Sequence, residues 1–327
     1  MPEPPSENGR TEGGNGMSRG GRLFREFDPA AAGYLVGWKT IGKLPEPLVR
    51  GLFNLGADLA SVRGRGMDQL RRNLCRIVGP ENVTRDLVRA SVRSYARYWR
   101  ETFWLPQIAD DPSLTQQLTF SVEGEQFLQE SLASGRGVVL TLPHSGNWDL
   151  AGLYVAQRYG RFTTVVERLK PEALHEAFVN YRETLGFRVL PLTGGYPTFR
   201  QLKETVEDGG IVCLMGDRDL KQTGVACEMF GEATSLPTGS VQLALKTGAA
   251  LHVAHCWYPR DGGWGFSVSE EVEVTDLGST IQRVADLFGA NLAAHPEDWH
   301  MLQPTWTMDV EASRERRSRE AGRKIRT

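Results

Sequence analysis

The sequence predicts an α/β protein in which one central sheet carries helices on both faces, preceded by a mainly helical N-terminal region. Three observations lead there. After about residue 120 short β-rich runs alternate with helical segments, the pattern of a sheet flanked by helices. Before that point apolar residues recur at helical spacing. No internal repeat or linker divides residues 30–306.

Composition narrows the classes further. At 327 residues the chain can bury a substantial core without disulfide staples. Hydrophobic residues at 40% and charged residues at 24% argue against a disordered, fibrous or multi-spanning membrane protein. A formal charge of −2 gives no global attraction for nucleic acid, so no nucleic-acid partner is expected. Cys75, Cys213, Cys227 and Cys256 include no CxxC pair, which fits a reducing compartment. The longest uncharged apolar run, residues 30–38, falls short of the roughly 20 residues a spanning helix needs. The N-terminus shows no secretion pattern, so the expectation is a cytoplasmic protein, one that lies on a membrane rather than crossing it.

Taken in order, residues 1–22 are rich in Gly and Pro and nearly free of apolar side chains, and are expected to be disordered. Residues 23–306 form the main domain. Between 45 and 63, Leu48, Leu52, Leu55 and Leu59 recur at intervals of 4, 3 and 4, giving an amphipathic helix. That helix either covers the core or inserts into a bilayer surface; its scarcity of charge suits both. A second helix over residues 84–103 turns Val88, Val92, Tyr95, Trp99 and Phe103 inward, with Thr84 as N-cap. Its other face gathers Arg89, Arg93, Arg97 and Arg100 within about 80°, either a solvated face or a site for anionic lipid or nucleotide phosphate. Strands are predicted at 137–142, 162–166, 211–215, 251–257 and 265–268, and helices at 147–159, 171–186, 197–207, 238–247 and 280–294. Residues 307–327 form a basic tail, a helix end or disordered arm able to attract membrane phosphate.

The chemistry concentrates where the strand VVLTL runs into PHSGNWDLAG. His144 follows the strand's carboxyl end, where open α/β sheets place ligands. Asp149 lies five residues on and would face away from His144 on a continuous helix. With His144 in the loop and Asp149 in the first helical turn the two can meet, Gly146 and Asn147 supplying turn and cap. A histidine held by a carboxylate is a general base for a hydroxyl group. No GxSxG elbow and no HExxH spacing accompany it, which disfavours acyl-enzyme and zinc mechanisms, and no metal is expected. His252 and His255, three apart on a strand, fall on opposite faces. His295 and His300 read as helix-end and packing residues, and Trp257, Trp299 and Trp306 as core or interface aromatics.

The H-x4-D string His144-SGNW-Asp149 resembles the motif of glycerolipid acyltransferases and lipid A biosynthesis acyltransferases. ARYWRETF, ERLKPE, YRETLGFRVLPLTGG, CLMGDRDL, FGEATSLPTG, KTGAALHVAHCW and AAHPEDWHMLQPTW extend the similarity to the phosphatidylinositol mannoside acyltransferases, over residues 25–306. The resemblance implies a glycerolipid acyltransferase-like fold with a mixed central sheet. It implies transfer of a palmitoyl-type chain from acyl-CoA, as co-substrate, to the 6-hydroxyl of the 2-linked mannose of phosphatidylinositol mono- or dimannosides. The place implied is an anionic membrane surface, the cytoplasmic face of the plasma membrane, with the enzyme peripheral to it. No further cofactor is implied. His144 would take the hydroxyl proton.

The family carries a Glu where this chain has Asp217, the implied relay to His144. The side chain is one methylene shorter, so its hydrogen bond must be recovered by a small adjustment; otherwise Asp149 becomes the orienting group. Asp149 is expected to support the HSGNWD turn. Glu167, Arg168, Arg182, Arg218 and Thr223 fall in the matched blocks as substrate-binding candidates, with Arg182 and Thr223 toward the donor. Glu167 alternatively pairs with an arginine. Two rivals remain: a lipid A type acyltransferase using an acyl carrier protein donor, and a catalytically silent glycolipid-binding homologue.

Overall fold

The computed structural model describes Gly37 and residues 40–119, 121–168, 170–192, 195–219 and 222–324, with side chains to residue 320. The expectations for residues 1–22, and for the apolar run 30–38 apart from Gly37, lie outside the described residues.

A seven-stranded sheet forms the centre. Its strands are β1 (Val122–Glu123), β2 (Val138–Leu142), β3 (Phe162–Val166), β4 (Phe187–Pro191), β5 (Ile211–Met215), β8 (Ala250–Trp257) and β9 (Gly265–Val268), in the spatial order β1-β9-β8-β2-β5-β3-β4. The run from β8 to β4 is parallel, whereas β9 lies antiparallel to β8 and parallel to β1, so the sheet is mixed. β2 sits between β5 and β8 and is buried along its whole length, which is why VVLTL reads as an unbroken run of apolar and small residues.

Successive β2 residues face opposite cores. Val139 packs with Val212, Leu251, Val241 and Phe288 under the helices α8 (Tyr196–Glu207), α9 (Gly239–Thr247) and α10 (Leu277–Ala294). Leu140 and Leu142 pack with Leu150, Leu153 and Phe162 on the other face, beneath α5 (Glu125–Ala133), α6 (Trp148–Tyr159) and α7 (Glu172–Thr184). Helices therefore cover both faces, as the alternating pattern requires.

The N-terminal region is helical as expected. α1 (Glu46–Ala60) and α2 (Asp68–Val78) pack on α3 (Arg85–Ile108) through Ala57, Leu70, Leu74, Val88 and Val92. Thr84 caps α3, its hydroxyl accepting the N–H of Leu87 at 3.1 Å. α1 turns its leucine stripe outward: Leu48, Leu52, Leu55 and Leu59 are 52 to 65% exposed. α4 (Pro112–Thr119) leads to β1. No helix of the described residues is long and apolar enough to cross a membrane.

The arginine stripe on α3 is neither a solvated face nor an open anion site. Arg89 and Arg93 both grip Asp58 of α1, Arg100 pairs with Glu46 of α1, and Arg97 pairs with Glu101. The two guanidinium groups hold the Asp58 carboxyl far below the usual carboxylate range. Three of the four arginines form the seam that fastens α1.

The two-residue β1, β4 and the hairpin of β6 (Val225–Met229) and β7 (Glu232–Leu236) come in addition to the predicted strands. β4 is an edge strand with Arg188 exposed and Pro191 at its end, which masks its pattern. The hairpin loop is Phe230-Gly231, with φ of 55° and 74°, the left-handed pair a two-residue turn needs but without the usual Asn-Gly signal. The basic tail begins as α11 (Thr307–Lys324), whose first turn is anchored. Trp306 is fully buried and bridges Thr234 of β7, and Asp309 pairs with Arg76 of α2 at 2.9 Å.

Candidate active site

His144 stands in the loop between β2 and α6, and its ring is 22% exposed. Its Nδ1 lies 2.6 Å from Oδ1 of Asp217, at the end of β5, the strand next to β2. Oδ2 of Asp217 accepts the backbone N–H of His144 and the indole N–H of Trp299, each at 2.9 Å. Burial works against the charge on Asp217. The facing His144 and the donated hydrogen bonds outweigh it and hold the carboxyl below the usual carboxylate range. With Nδ1–H directed to a carboxylate, Nε2 carries the lone pair.

Asp217 thus meets both the ring and the backbone of His144. Gly146 is required in this loop: its φ is +55°, and a Cβ would sit 2.5 Å from the backbone of Cys256. Asn147 caps α6 through the N–H of Leu150 at 3.0 Å, as the sequence predicted. The Ser145 hydroxyl donates to the Cys256 carbonyl at 2.7 Å.

Asp149 does not hydrogen-bond His144. Fully buried, it accepts from Tyr98 of α3 and from Nε of Arg182 on α7, both at 2.9 Å. Burial alone would depress the Arg182 pKa, but the Asp149 carboxylate more than offsets it. Asp149 and Arg182 are thus one buried pair bracing the start of α6. Asp217 and Arg218 border a polar groove that also includes Glu167. Arg218 donates to Gln303 at 2.9 Å. Arg168 pairs with Glu172 at 3.0 Å on the exposed surface. Glu167 makes no ion pair among the described residues, so the alternative of an arginine partner is not met there. Thr223 is exposed, its N–H donated to Asp219.

Sequence reasoning missed two contributors. Glu101 on α3 is buried and accepts from Asn147 at 2.7 Å and from Trp264 at 3.0 Å, tying the histidine loop to the N-terminal helices. Trp299, read as packing, supplies a donor to Asp217. Around it residues 298–300 are laced to 144–146: Gly146 N–H donates to the Asp298 carbonyl at 3.0 Å and His300 N–H to the His144 carbonyl at 2.8 Å. The DWH tripeptide in its matched block was the available signal. His300 is buried beside this loop with Nε2 3.0 Å from Ser94 Oγ, and burial together with His144 pushes it down to about 3.

Two spaces lie near the pair, one of them lined by Asp217. Beneath α6 an apolar cavity of about 90 Å³ is lined by Leu142, Trp148 and Met215 near the histidine and by Leu128 and Val268 farther off. Trp148 stands edge-on to His144 with ring centres 5.4 Å apart. A second space, the polar groove of about 600 Å³, includes Asp217.

A carboxylate-held imidazole at the carboxyl edge of an α/β sheet, with an apolar cavity and a polar groove nearby, is arranged to activate a hydroxyl group, and the relatives of the chain place it among the acyltransferases. The family model described as bacterial lipid A biosynthesis acyltransferase matches residues 30–308, and the chain belongs to that family. It is 50% identical over 308 residues to a phosphatidylinositol mannoside acyltransferase of Mycolicibacterium smegmatis, covering 93% of this chain and 99% of the relative. It is 49% identical over 286 residues to a protein of the same name from Mycobacterium tuberculosis strain H37Rv, covering 86% and 90%.

Proposed function

We propose that this enzyme transfers a palmitoyl-type chain from acyl-CoA to the 6-hydroxyl of the 2-linked mannose of phosphatidylinositol mono- or dimannosides. The observation that carries this reading is the His144–Asp217 pair, with Asp217 on a polar groove and Trp148 and Leu142 beside His144 on an apolar cavity, in a chain half identical to relatives named for that glycolipid.

The acyl chain lies in the cavity under α6, where each buried CH₂ contributes roughly 0.8 kcal/mol. The acceptor head group lies in the groove. Nε2 of His144 takes the hydroxyl proton, and the Asp217 carboxylate stabilises the imidazolium. The mannose oxygen attacks the thioester carbonyl, the C–S bond breaks, and the proton passes from His144 to the departing thiolate. The products are the mannose ester and free coenzyme A. Glu167 and Arg218 border the groove and meet sugar hydroxyls; Arg168 and Thr223, on the exposed surface, meet only outlying parts of a substrate. Arg182 serves the donor indirectly, as the brace of Asp149. The outward leucines of α1 lay the enzyme on the cytoplasmic face of the plasma membrane.

Labelled palmitoyl-CoA and purified phosphatidylinositol mannosides test this. The parent is expected to form the acylated glycolipid, His144→Ala to lose essentially all turnover, and Asp217→Asn most of it. Lipid binding without turnover in the parent, or full turnover in His144→Ala, would refute the reading.

A further inference from the structure

The groove beside Asp217 holds charges left unmatched among the described residues. Three guanidinium groups border it, Arg218, Arg314 and Arg317, and none pairs with a carboxylate among the described residues. Arg218 bonds only to the neutral Gln303, and Arg317 only to Ser313, at 3.4 Å. Of the carboxylates, Asp217 is engaged by His144 and Trp299, and Asp219 by two backbone N–H groups and Ser235. Glu167 and Glu311 remain without an ion pair among the described residues.

Long opposite charges that share a groove without pairing mark a place where a ligand supplies the partners. Among the described residues, three free cations against two free carboxylates suit a group with one negative charge and many hydroxyls. A nucleotide with several phosphates would meet the carboxylates at a cost. Arg314 and Arg317 lie three residues apart, on one face of α11. Their helix is held in place by buried Trp306 and by the Asp309–Arg76 pair, so they form a wall of the groove rather than a loose basic arm.

We propose that Arg314 and Arg317, with Arg218, form a subsite for the phosphodiester of the acceptor glycolipid, while Glu167 and Glu311 accept hydrogen bonds from its sugar hydroxyls. The inference rests on the acceptor being a phosphatidylinositol mannoside and assigns the C-terminal helix to its recognition.

The test compares the full chain with Arg314→Gln/Arg317→Gln, using palmitoyl-CoA and phosphatidylinositol mannoside in neutral detergent micelles. The KM for the glycolipid is expected to rise roughly tenfold or more, the loss of charged hydrogen bonds. The KM for palmitoyl-CoA should stay unchanged. Arg316→Gln/Arg319→Gln removes the same charge from the opposite face of α11 and should leave both constants alone. A rise confined to palmitoyl-CoA would place the donor's phosphates in the groove and overturn the proposal. An equal loss from the opposite-face variant would reduce the effect to general attraction and overturn it too. Calorimetric binding of the micellar glycolipid reads the subsite independently of turnover. A parent that binds more tightly than the 314/317 variant yet never acylates would defeat the assigned reaction and keep the subsite, whereas equal binding would end the subsite.

Discussion

The indole of Trp299 donates to Oδ2 of Asp217 at 2.9 Å, the oxygen that also takes the backbone N–H of His144. Two fixed donors on one oxygen leave Oδ1 aimed at the imidazole. The carboxylate is therefore oriented before any substrate arrives, from a residue 82 positions away in the chain.

Trp299→Phe keeps most of the ring volume and removes this donor. A hydrogen bond to a charged group contributes about 1.5–3 kcal/mol. We expect kcat to fall roughly tenfold or more with both KM values little changed. Unaltered kcat in a folded variant would show that Asp217 needs no such support.

Leu128 of α5 lines the apolar cavity away from His144, since the cavity crosses from β2 and β5 toward β9. Leu128→Phe should shorten the space and move donor preference toward shorter acyl chains, at about 1–3 kcal/mol of overpacking strain. Competition between palmitoyl-CoA and decanoyl-CoA measures it, with a thermal melt to confirm folding. An unshifted preference would place the acyl chain elsewhere.

Four leucines of α1 stand more than half exposed. Changing Leu48, Leu52, Leu55 and Leu59 together to Ser should leave the melting temperature nearly unchanged, because none is in the core. Flotation with anionic liposomes should fall by an order of magnitude or so, as the apolar contribution to binding is removed. Undiminished flotation would exclude this face as the contact.

Burial, helped by His295, pushes His255 down to about 3, and both its ring nitrogens are buried without a hydrogen bond. Between that value and about 6.5 the unfolded chain binds a proton that the folded one refuses. Stability attributable to this group is whole above the window and is lost as pH falls through it, by roughly 1.4 kcal/mol per unit. His255→Leu should lessen the slope of unfolding free energy between roughly pH 4 and 6 by about one proton, with His300 still contributing its own. An unchanged slope from denaturant titrations would disprove the assignment.

Much of this was legible in the sequence. The buried parallel strands β2, β3 and β5 read directly because a strand covered on both faces is continuously apolar or small. The Gly146-Asn147 turn and the Thr84 cap read from local backbone chemistry. What spacing could not give was the identity of facing groups. It placed four arginines on one face of α3 but not Asp58 and Glu46 opposite them. It also left Arg182 as a free donor-site candidate, although Asp149 occupies it. Trp299 and Glu101 escaped for the same reason: each acts on a residue brought near only by the finished fold.

Both the leucine face of α1 and the histidine loop hang from α3, the first through Asp58 and Glu46, the second through Glu101 and Tyr98. A 24-residue helix is a rod of about 36 Å. The two attachments overlap along it, Arg100 standing next to Glu101, so one short stretch of α3 fixes the leucine face and the imidazole relative to each other.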